Sequence, residues 1–423
     1  MGRGRLILWG ARLVDGHGHK VRERASVTIT GATIAEVADA TGDAMPDGAV
    51  DVCGRTLLPG LIDAHVHLSS DVSRSPGFGP PPPAKGEPSR PRELGWFVLA
   101  NGARALLRAG ITTVRDVGSY DDEALVVREA IRLGLLDGPR VLSCGRILSA
   151  TSLGGRVFGT MYREADGPDE LRKAVREQLR RGADFVKVMA TGARSVVGED
   201  PEPSQLTRPE LRAVVEEAHR MGVRVAAHAE GLGGVRLAVE EGVDTIEHGL
   251  SLHREPELLE RMAERGIALI PTLSTFHDLA ERFAADFAPV LVAQAERQRE
   301  EAYRTLAAAR AAGVVLAMGH DSGPPGDNAT ELVRMVEGGL TPLEAIAAAT
   351  SGAARALGLH DQVGVVAPGE AADLVVVDGD PLEDIRVLTD RAKIWLVVQA
   401  GRPVAGRAVE WAEPGLGPRA DWA

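Results

Sequence analysis

The sequence predicts an α/β fold: a (β/α)8 TIM-type barrel joined to a small β-sandwich domain that the N- and C-terminal segments form together. Three observations support this prediction. Apolar β-like runs alternate with amphipathic helical stretches eight times between residues 59 and 360. The flanks, 1–58 and 361–423, show only short β-like pieces broken by Gly and Asp. Polar residues stand at or near the C-terminal ends of the apolar runs, where a closed barrel gathers its active site.

The barrel prediction is built from eight strands and the helices between them. Strands are predicted at 64–68, 111–117, 140–143, 185–190, 224–228, 244–248, 268–273 and 314–318. Helices are predicted near 94–108, 123–133, 169–181, 208–221, 233–241, 255–265 and 290–312. An open doubly wound sheet is the competing architecture, but no glycine fingerprint of that fold follows the first strand.

The flanks carry short predicted strands and no convincing helix. These strands are at 6–9, 26–30, 33–37, 372–377 and 394–400. We expect the two ends to pack together as one structural domain made from discontinuous sequence. Four consecutive prolines, Pro80 to Pro83, follow the first barrel strand and exclude a helix or a central strand there. The loop at 76–91 is therefore expected to form a lid or a stiff rim at the barrel mouth.

Composition excludes several classes of protein. The net charge of −12 argues against nucleic acid as a partner, because binding a polyanion requires clustered excess Lys and Arg. No apolar run approaches the roughly 18 residues of a membrane span, and Arg12 and Asp15 interrupt the N-terminus too early for a secretory signal. Cys53 and Cys144 are the only cysteines, so neither a disulfide scaffold nor a thiolate metal site is supported. We expect a cytoplasmic protein with a small-molecule substrate; the sequence leaves open whether it forms a homo-oligomer.

Two histidines stand on one face of the first barrel strand. His65 and His67 are spaced i, i+2 in an apolar run, and side chains alternate along a strand, so both point to the same side. Two imidazoles on one face can share a metal ion. A buried, hydrogen-bonded histidine is the commoner explanation of a lone one. The interpretation as ligands therefore depends on the other polar residues at strand ends, which are Lys187, His228, His248 and Asp321.

Lys187 interrupts an apolar strand in a chain that makes most of its positive charge with arginine, since only five of its 48 basic residues are lysines. Burial disfavours the ammonium form of a lysine and lowers its pKa. A neutral amine can capture carbon dioxide as a carbamate, whose two oxygens and negative charge can bridge two divalent cations. The alternative is a lysine that forms a salt bridge with a carboxylate at the strand end, and the sequence leaves both open.

Taken together, these motifs resemble the amidohydrolase superfamily over nearly the whole chain. The segments 187–192 and 242–249 resemble more narrowly its imidazolonepropionase-related branch, which includes Xaa-Pro dipeptidases (prolidases). The segment 372–378 is similar to the C-terminal β-sandwich strand of the superfamily. The remaining motif residues are the run 58–67, His228 and Asp321.

The resemblance implies a binuclear metal-dependent hydrolase that cleaves an amide bond. One divalent ion would be held by His65, His67 and Asp321, the other by His228 and His248, and carbamylated Lys187 would bridge them. A metal-bridging hydroxide would attack the carbonyl, with Asp321 as general base and then as acid toward the leaving amine. Nitrogen and carboxylate ligands favour Zn²⁺, with Mn²⁺ and Co²⁺ as alternatives. A lysine on strand 4 favours amide hydrolysis over deamination.

Two positions depart from the family pattern. Relatives commonly carry Thr-Gly-Gly-His after strand 3, where this chain reads Thr151 to Arg156, so Arg156 replaces the histidine or the loop is rebuilt. Relatives often have Gly-Thr-Asp at strand 8, where this chain has Gly319, His320 and Asp321. His320 is expected to point away from the face of Asp321, and we assign it a structural role.

Substrate recognition is assigned to two arginines. Arg156 and Arg194 lie on loops expected to face the barrel mouth, and the planar guanidinium pairs well with a substrate carboxylate. Surface solvation is the alternative for either one. Arg115 and Asp116 are expected to form a structural pair under the site, with substrate contact as the alternative. His277, after strand 7, is a further candidate for the pocket wall.

Three functional interpretations follow. The first is hydrolysis of Xaa-Pro-type dipeptides or N-acyl amino acids. The second is another hydrolase on the same site, either a lactonase or an amidase acting on a xenobiotic N-acyl amino acid. The third is an inactive binding protein. A barrel needs none of the six ligand side chains to fold, and burying them unpaired is costly, which argues against the third interpretation.

Overall fold

The computed structural model describes residues 5–18, 21–41, 44–68, 94–282 and 284–412. The proline-rich loop at 76–91, predicted to form a lid or rim, lies outside these residues. None of the helices within the described ranges combines the length and the apolar character that a membrane crossing requires.

Strands and helices alternate through the centre of the chain. The strands are β1 (Arg5–Val14), β2 (Val21–Thr30), β3 (Thr33–Asp39), β4 (Val50–Asp51), β5 (Thr56–Pro59), β6 (Leu61–Val66), β7 (Ile111–Asp116), β8 (Arg140–Ser143), β9 (Ile147–Ser149), β10 (Tyr162–Glu164), β11 (Val186–Met189), β12 (Val225–Ala229), β13 (Thr245–His248), β14 (Ala268–Ile270), β15 (Leu374–Val377), β16 (Ile394–Gln399) and β17 (Arg402–Ala405). The helices are α1 (Leu94–Arg108), α2 (Glu123–Arg132), α3 (Leu153–Phe158), α4 (Pro168–Arg180), α5 (Arg208–Arg220), α6 (Leu232–Glu241), α7 (Pro256–Arg265), α8 (Leu273–His277), α9 (Pro289–Ala311), α10 (Thr330–Glu337), α11 (Pro342–Ala347), α12 (Ala353–Leu357) and α13 (Arg407–Ala412).

Two parallel sheets make up the barrel. The first has the order β6-β7-β8, and the second has the order β10-β9-β11-β12-β13-β14. They meet where the backbone N–H of Asp184, just before β11, donates to the carbonyl of Ser143 at the end of β8 (2.9 Å). The short strands β9 and β10, which the sequence did not predict, extend the second sheet beside β11.

The eighth predicted strand, 314–318, appears as an isolated bridge instead of a longer strand. Leu316 pairs in parallel with Leu269 of β14. On the other side, the N–H of Ala64 in β6 donates to the carbonyl of Met318 (2.8 Å). The segment therefore lies between the last strand and the first, and these hydrogen bonds complete the predicted (β/α)8 ring.

Helix ends follow local sequence signals. A capping box begins α5, where the Glu210 carboxylate accepts from both the N–H and the hydroxyl of Thr207 (2.7 Å each). Left-handed Gly242 and Gly266 end α6 and α7. The helices α1, α2, α4, α5, α6, α7 and α9 agree with the predicted helical stretches to within a residue or two.

A third, mixed sheet combines both ends of the chain. Its order is β17-β16-β15-β5-β1-β2-β3, so strands from the C-terminal flank pair with strands from the N-terminal flank. Its core contains fully buried Leu13, Leu57, Leu374 and Val398. The small discontinuous domain is thus confirmed, while its boundaries at 58 and 361 stay a prediction. The flanks are not free of helix as expected, because α13 follows β17; six residues are too few to give a periodic signal.

Candidate active site

A cavity of about 360 Å³ lies at the C-terminal ends of the barrel strands. The structure brings all six predicted ligands to its wall. Of the six, four are buried, and His67 and Asp321 are partly exposed. These residues are His65, His67, Lys187, His228, His248 and Asp321.

The two histidines of β6 are held by hydrogen bonds on the same ring nitrogen. His65 Nδ1 donates to Glu247 Oε2 (2.7 Å), and His67 Nδ1 donates to the carbonyl of Gly118 (2.7 Å). Each Nε2 then faces Asp321 Oδ1, at 3.2 Å from His65 and 3.4 Å from His67. The hydrogen bonds leave both Nε2 atoms available as ligands.

The other two histidines end β12 and β13. His228 Nε2 donates to the carbonyl of Gly192 (3.1 Å), which leaves its Nδ1 available. His248 Nδ1 lies 2.6 Å from the Thr272 hydroxyl, which leaves its Nε2 available. Burial lowers the pKa of both rings well below the usual histidine range. Both rings are therefore neutral imidazoles, the form that binds metals.

The backbone at the site departs from ordinary strand geometry. His248 (φ 73°), Thr272 (φ 49°) and Asp321 (φ 63°) all adopt left-handed conformations that side chains other than glycine rarely take. Such conformations are costly and tend to cluster where a side chain must be aimed at a functional site. Here they turn one histidine, its hydrogen-bonding partner and the carboxylate toward the cavity.

Lys187 is 2% exposed, and burial lowers its pKa. Within the described ranges it forms no hydrogen bond or salt bridge, so the alternative of a lysine paired with a carboxylate is not what the structure shows. A buried amine without a partner is the state in which carbamate formation is favoured.

A buried ion pair lies beneath the histidines. Arg115 Nη2 donates to Glu247 Oε1 (2.7 Å), and Arg115 Nε donates to the carbonyl of Ala64 (2.6 Å). The expected pairing of Arg115 with Asp116 is wrong, because Asp116 instead accepts from the N–H of Leu68 (2.8 Å). The sequence did not single out Glu247, whose role becomes visible only when the closed ring places β7 and β13 across the barrel interior from each other.

The two substrate-binding candidates differ in position. Arg194 lines the cavity, donates through Nη1 to Glu230 Oε1 (2.6 Å) and lies with Nη2 3.6 Å from Asp321 Oδ2. Arg156 is exposed on α3 and is not part of the cavity wall within the described residues, although Val157 beside it is. Both assignments stay predictions.

Two further histidines lie outside the cavity wall. His320 is buried, and its Nε2 lies 3.0 Å from the Thr330 hydroxyl, in keeping with a structural role. His277 Nε2 lies 2.8 Å from the Tyr303 hydroxyl.

The donor set fits a metal centre. The ligand atoms of His65, His248 and Asp321 lie within 4.8 Å of one another, and so do those of His228, Glu230 and His248. Imidazole nitrogens and carboxylate oxygens are the donors that Zn²⁺ and similar divalent ions prefer. Glu230 was not among the predicted ligands, although its i, i+2 spacing from His228 repeats the spacing of the first pair.

The chain is similar to known proteins in both sequence and structure. The sequence model of the amidohydrolase family matches residues 56–404. Ochratoxinase from Aspergillus niger is 33% identical over 390 residues, which cover 86% of this chain and 77% of the relative.

Two solved structures are similar over almost the whole chain. A Xaa-Pro dipeptidase with methionine bound in its active site has a TM-score of 0.83 at 30% identity, covering 95% of this chain and 99% of the other. A prolidase complexed with N-methylphosphonate-L-proline has a TM-score of 0.83 at 31% identity, with the same coverage.

Proposed function

This chain belongs to the amidohydrolase family and is a hydrolytic enzyme acting on C–N bonds, and from that premise we propose that it is a binuclear metal-dependent amide hydrolase. The resemblance to Xaa-Pro dipeptidases inferred from the motifs is confirmed. The inactive binding protein is set aside, since the similarity extends to known hydrolases over most of the chain. Members of this family generally bind divalent metals and act on small molecules.

The observation that carries the proposal is the set of donors around one cavity. His65, His67 and Asp321 would hold one ion, and His228 and His248 would hold the second. Lys187, buried and without a partner in the described ranges, would bridge them as a carbamate. Zn²⁺ fits these donors best, with Mn²⁺ and Co²⁺ as alternatives. When bound, the ions lower the pKa of water and polarise a carbonyl.

The chain's own residues supply proton transfer and orientation. Asp321 is fixed by its N–H, which donates to the carbonyl of His65 (2.9 Å). Its Oδ2 lies on the side of Arg194, away from the histidine nitrogens that face Oδ1. In this position the carboxylate accepts a proton from the attacking water and delivers it to the leaving amine.

The cavity wall supports a substrate with an apolar group. Part of the lining consists of aliphatic, aromatic and thioether side chains, among them Ile147, Val157, Phe158, Met161, Tyr162 and Met189. We therefore propose Xaa-Pro-type dipeptides or N-acyl amino acids as substrates, with Arg194 as the candidate for the carboxylate. An amidase acting on a bulkier N-acyl amino acid is the second candidate, favoured by the aromatic part of this wall and by the similarity to ochratoxinase.

Metal content and hydrolysis, measured on the same preparation, test the proposal. Protein produced with zinc or manganese and bicarbonate is analysed by plasma mass spectrometry and assayed against Xaa-Pro dipeptides, N-acyl amino acids with small and aromatic acyl groups, and lactones. We expect close to two ions per chain and turnover of at least one amide. Protein that binds no ion and cleaves no amide contradicts the proposal.

Two variants make this test specific. Asp321→Asn keeps the shape of the side chain but cannot accept a proton, so we expect kcat to fall about 100-fold or more. His219→Gln is the control, since His219 is an exposed histidine paired with Asp244 and is not one of the residues that line the cavity. Equal losses in both variants would show a general effect on the fold.

A further inference from the structure

Glu230 repeats at the end of β12 the arrangement that β6 shows at its end. His65 and His67 are spaced i, i+2 and face the cavity together; His228 and Glu230 have the same spacing and also both line it. The alternation of side chains along a strand explains why each pair shares a face.

One oxygen of the Glu230 carboxylate has no partner. The residue is 1% exposed; its Oε1 accepts from Arg194 Nη1 (2.6 Å), whereas Oε2 is buried without a hydrogen bond among the described residues. A buried carboxylate oxygen left unpaired costs free energy unless a cation or a donor meets it. One ligand atom each of Glu230, His228 and His248 lie within 4.8 Å of one another, and Glu230 Oε1 lies 3.4 Å from His228 Nε2. A cation bound among these residues and contacted by Oε2 would satisfy that oxygen.

We propose that Glu230 is a further metal ligand, which joins His228 and His248 on the second divalent ion. This inference rests on the proposed binuclear function. Without Glu230, that ion would have two neutral imidazoles and the shared bridge as its protein ligands; with it, the ion gains an anionic ligand of its own. Arg194, paired with the other oxygen, balances the added negative charge and fixes the carboxylate in place.

Metal retention tests the proposal without relying on activity. Zinc-loaded wild type and Glu230→Gln are dialysed against increasing concentrations of a chelator, and the zinc remaining per chain is measured by plasma mass spectrometry. We expect Glu230→Gln to lose one of its two ions at a chelator concentration about 10-fold lower or more, while the other ion is retained as in the wild type. Asp278→Asn is the matched control, because Asp278 is another cavity-lining carboxylate outside both ligand groups.

The outcomes separate this inference from the proposed function. If Glu230→Gln retains both ions like the wild type, Glu230 is not a ligand, whether or not KM for an amide substrate changes, and the binuclear function still stands. If the wild type itself binds no ion, both proposals fail.

A structural measurement covers the case in which Glu230→Gln does not fold. Crystals of the zinc-loaded wild type give the ion positions directly. A Glu230 oxygen about 2.0–2.2 Å from the ion that His228 and His248 bind supports the proposal. A carboxylate turned away from that ion overturns it.

Discussion

The four site histidines differ in the hydrogen-bond partner of the ring nitrogen that is not available as a ligand. His65 donates to a carboxylate, His67 and His228 donate to backbone carbonyls, and His248 meets a hydroxyl. A carboxylate partner raises the basicity of an imidazole most. His65 is therefore expected to be the strongest nitrogen donor of the site, and the groups that support it should matter to metal affinity.

Glu247 tests this support. Glu247→Gln keeps the shape of the side chain but removes the charge that both His65 and Arg115 use, so we expect metal affinity to fall about 10- to 100-fold. The buried arginine left without its anion also costs about 3–5 kcal/mol of unfolding free energy. Chelator competition measures the first effect and denaturant unfolding the second.

The control for Glu247 is another buried carboxylate with an arginine partner. Asp373, just before β15, accepts from Arg140 Nη1 at the start of β8 (2.9 Å), and neither residue lines the cavity. Asp373→Asn should lower stability and leave metal affinity unchanged. Equal affinity losses in the two variants would mean that Glu247 acts on the fold alone.

Lys187→Ala tests the bridge. Without a carbamate between the ions, we expect fewer than two ions per chain and a loss of kcat/KM of about 100-fold or more, since a direct ligand should matter at least as much as the groups that orient ligands. Lys173→Ala is the matched control, because Lys173 is an exposed lysine on α4. Metal analysis and assays with and without added bicarbonate are the measurements. Normal turnover with two ions in Lys187→Ala would exclude the carbamate.

At the scale of the elements, the position of the six ligands at strand ends explains why the sequence predicted the site. A parallel barrel brings the C-terminal ends of its strands to one mouth, so polar residues that end apolar runs had to meet there. Contacts between side chains on different strands could not be predicted, because they depend on how the strands are arranged in the ring. The hydrogen bond from His65 to Glu247 crosses the barrel between strands that do not pair, and the hydrogen bond from Arg194 to Glu230 joins the ends of two different strands.

Other elements escaped prediction because they are short. β9, β10 and β17 span three or four residues, and two π-helical turns, 278–282 and 348–352, interrupt helical segments without a distinctive pattern. The eighth barrel strand was predicted as five residues, yet only Leu316 pairs as a bridge. The chain leaves strand geometry after Met318 to aim Asp321 at the cavity in a left-handed conformation.

Gly319 lies where the chain leaves strand geometry after Met318, and this position has no room for a side chain. A Cβ at this position would lie 2.3 Å from Ile270 Cγ2 and 2.7 Å from His65 Cβ. We expect Gly319→Ala to displace His65, lower kcat/KM about 10-fold or more and reduce stability by about 1–3 kcal/mol. Steady-state kinetics and thermal unfolding measure the two effects.

Gly313→Ala is the control that separates the displacement of His65 from backbone strain at a positive φ. Gly313 lies just before the eighth barrel segment and has φ 74°, but its Cβ would meet nothing within 4 Å. It should lose about 1–2 kcal/mol of stability through the backbone alone and keep its activity. A Gly319→Ala variant with normal metal affinity and kinetics would show that His65 tolerates the displacement.

At the scale of the whole molecule, the sandwich is tied to the barrel through both ends of the chain. β5 leads directly into β6, and β15 pairs with β5 on one side and β16 on the other. The side chain of Gln399 at the end of β16 donates to the carbonyl of Thr112 in β7 (3.0 Å). β5, which leads into the first barrel strand, thus pairs with a strand more than 300 positions later in the sequence, and Gln399 contacts the second barrel strand.

Truncation tests this dependence. Removing residues 361–423 deletes β15, β16 and β17, and each large core side chain lost with them, such as Leu374 or Val398, contributes about 1.5–3 kcal/mol. We expect insoluble or unfolded protein by circular dichroism. A chain ending at residue 412 is the control and should fold. A soluble, metal-loaded product of residues 1–360 would show that the barrel does not need the C-terminal strands.

Metal removal is expected to lower the stability of the entire barrel. The donors come from β6, β11, β12, β13 and the segment after 314–318, so bound ions connect strands on opposite sides of the ring. A ligand that binds only the folded state stabilises it by about 2.7 kcal/mol when its concentration is 100 times Kd. We expect the melting temperature of the wild type to fall on chelation and to recover with zinc. The double variant His65→Ala/His67→Ala should respond less to either treatment, because one ion has lost two of its ligands. A wild-type melting temperature that does not change on chelation would mean that the ions, if bound, do not couple these strands.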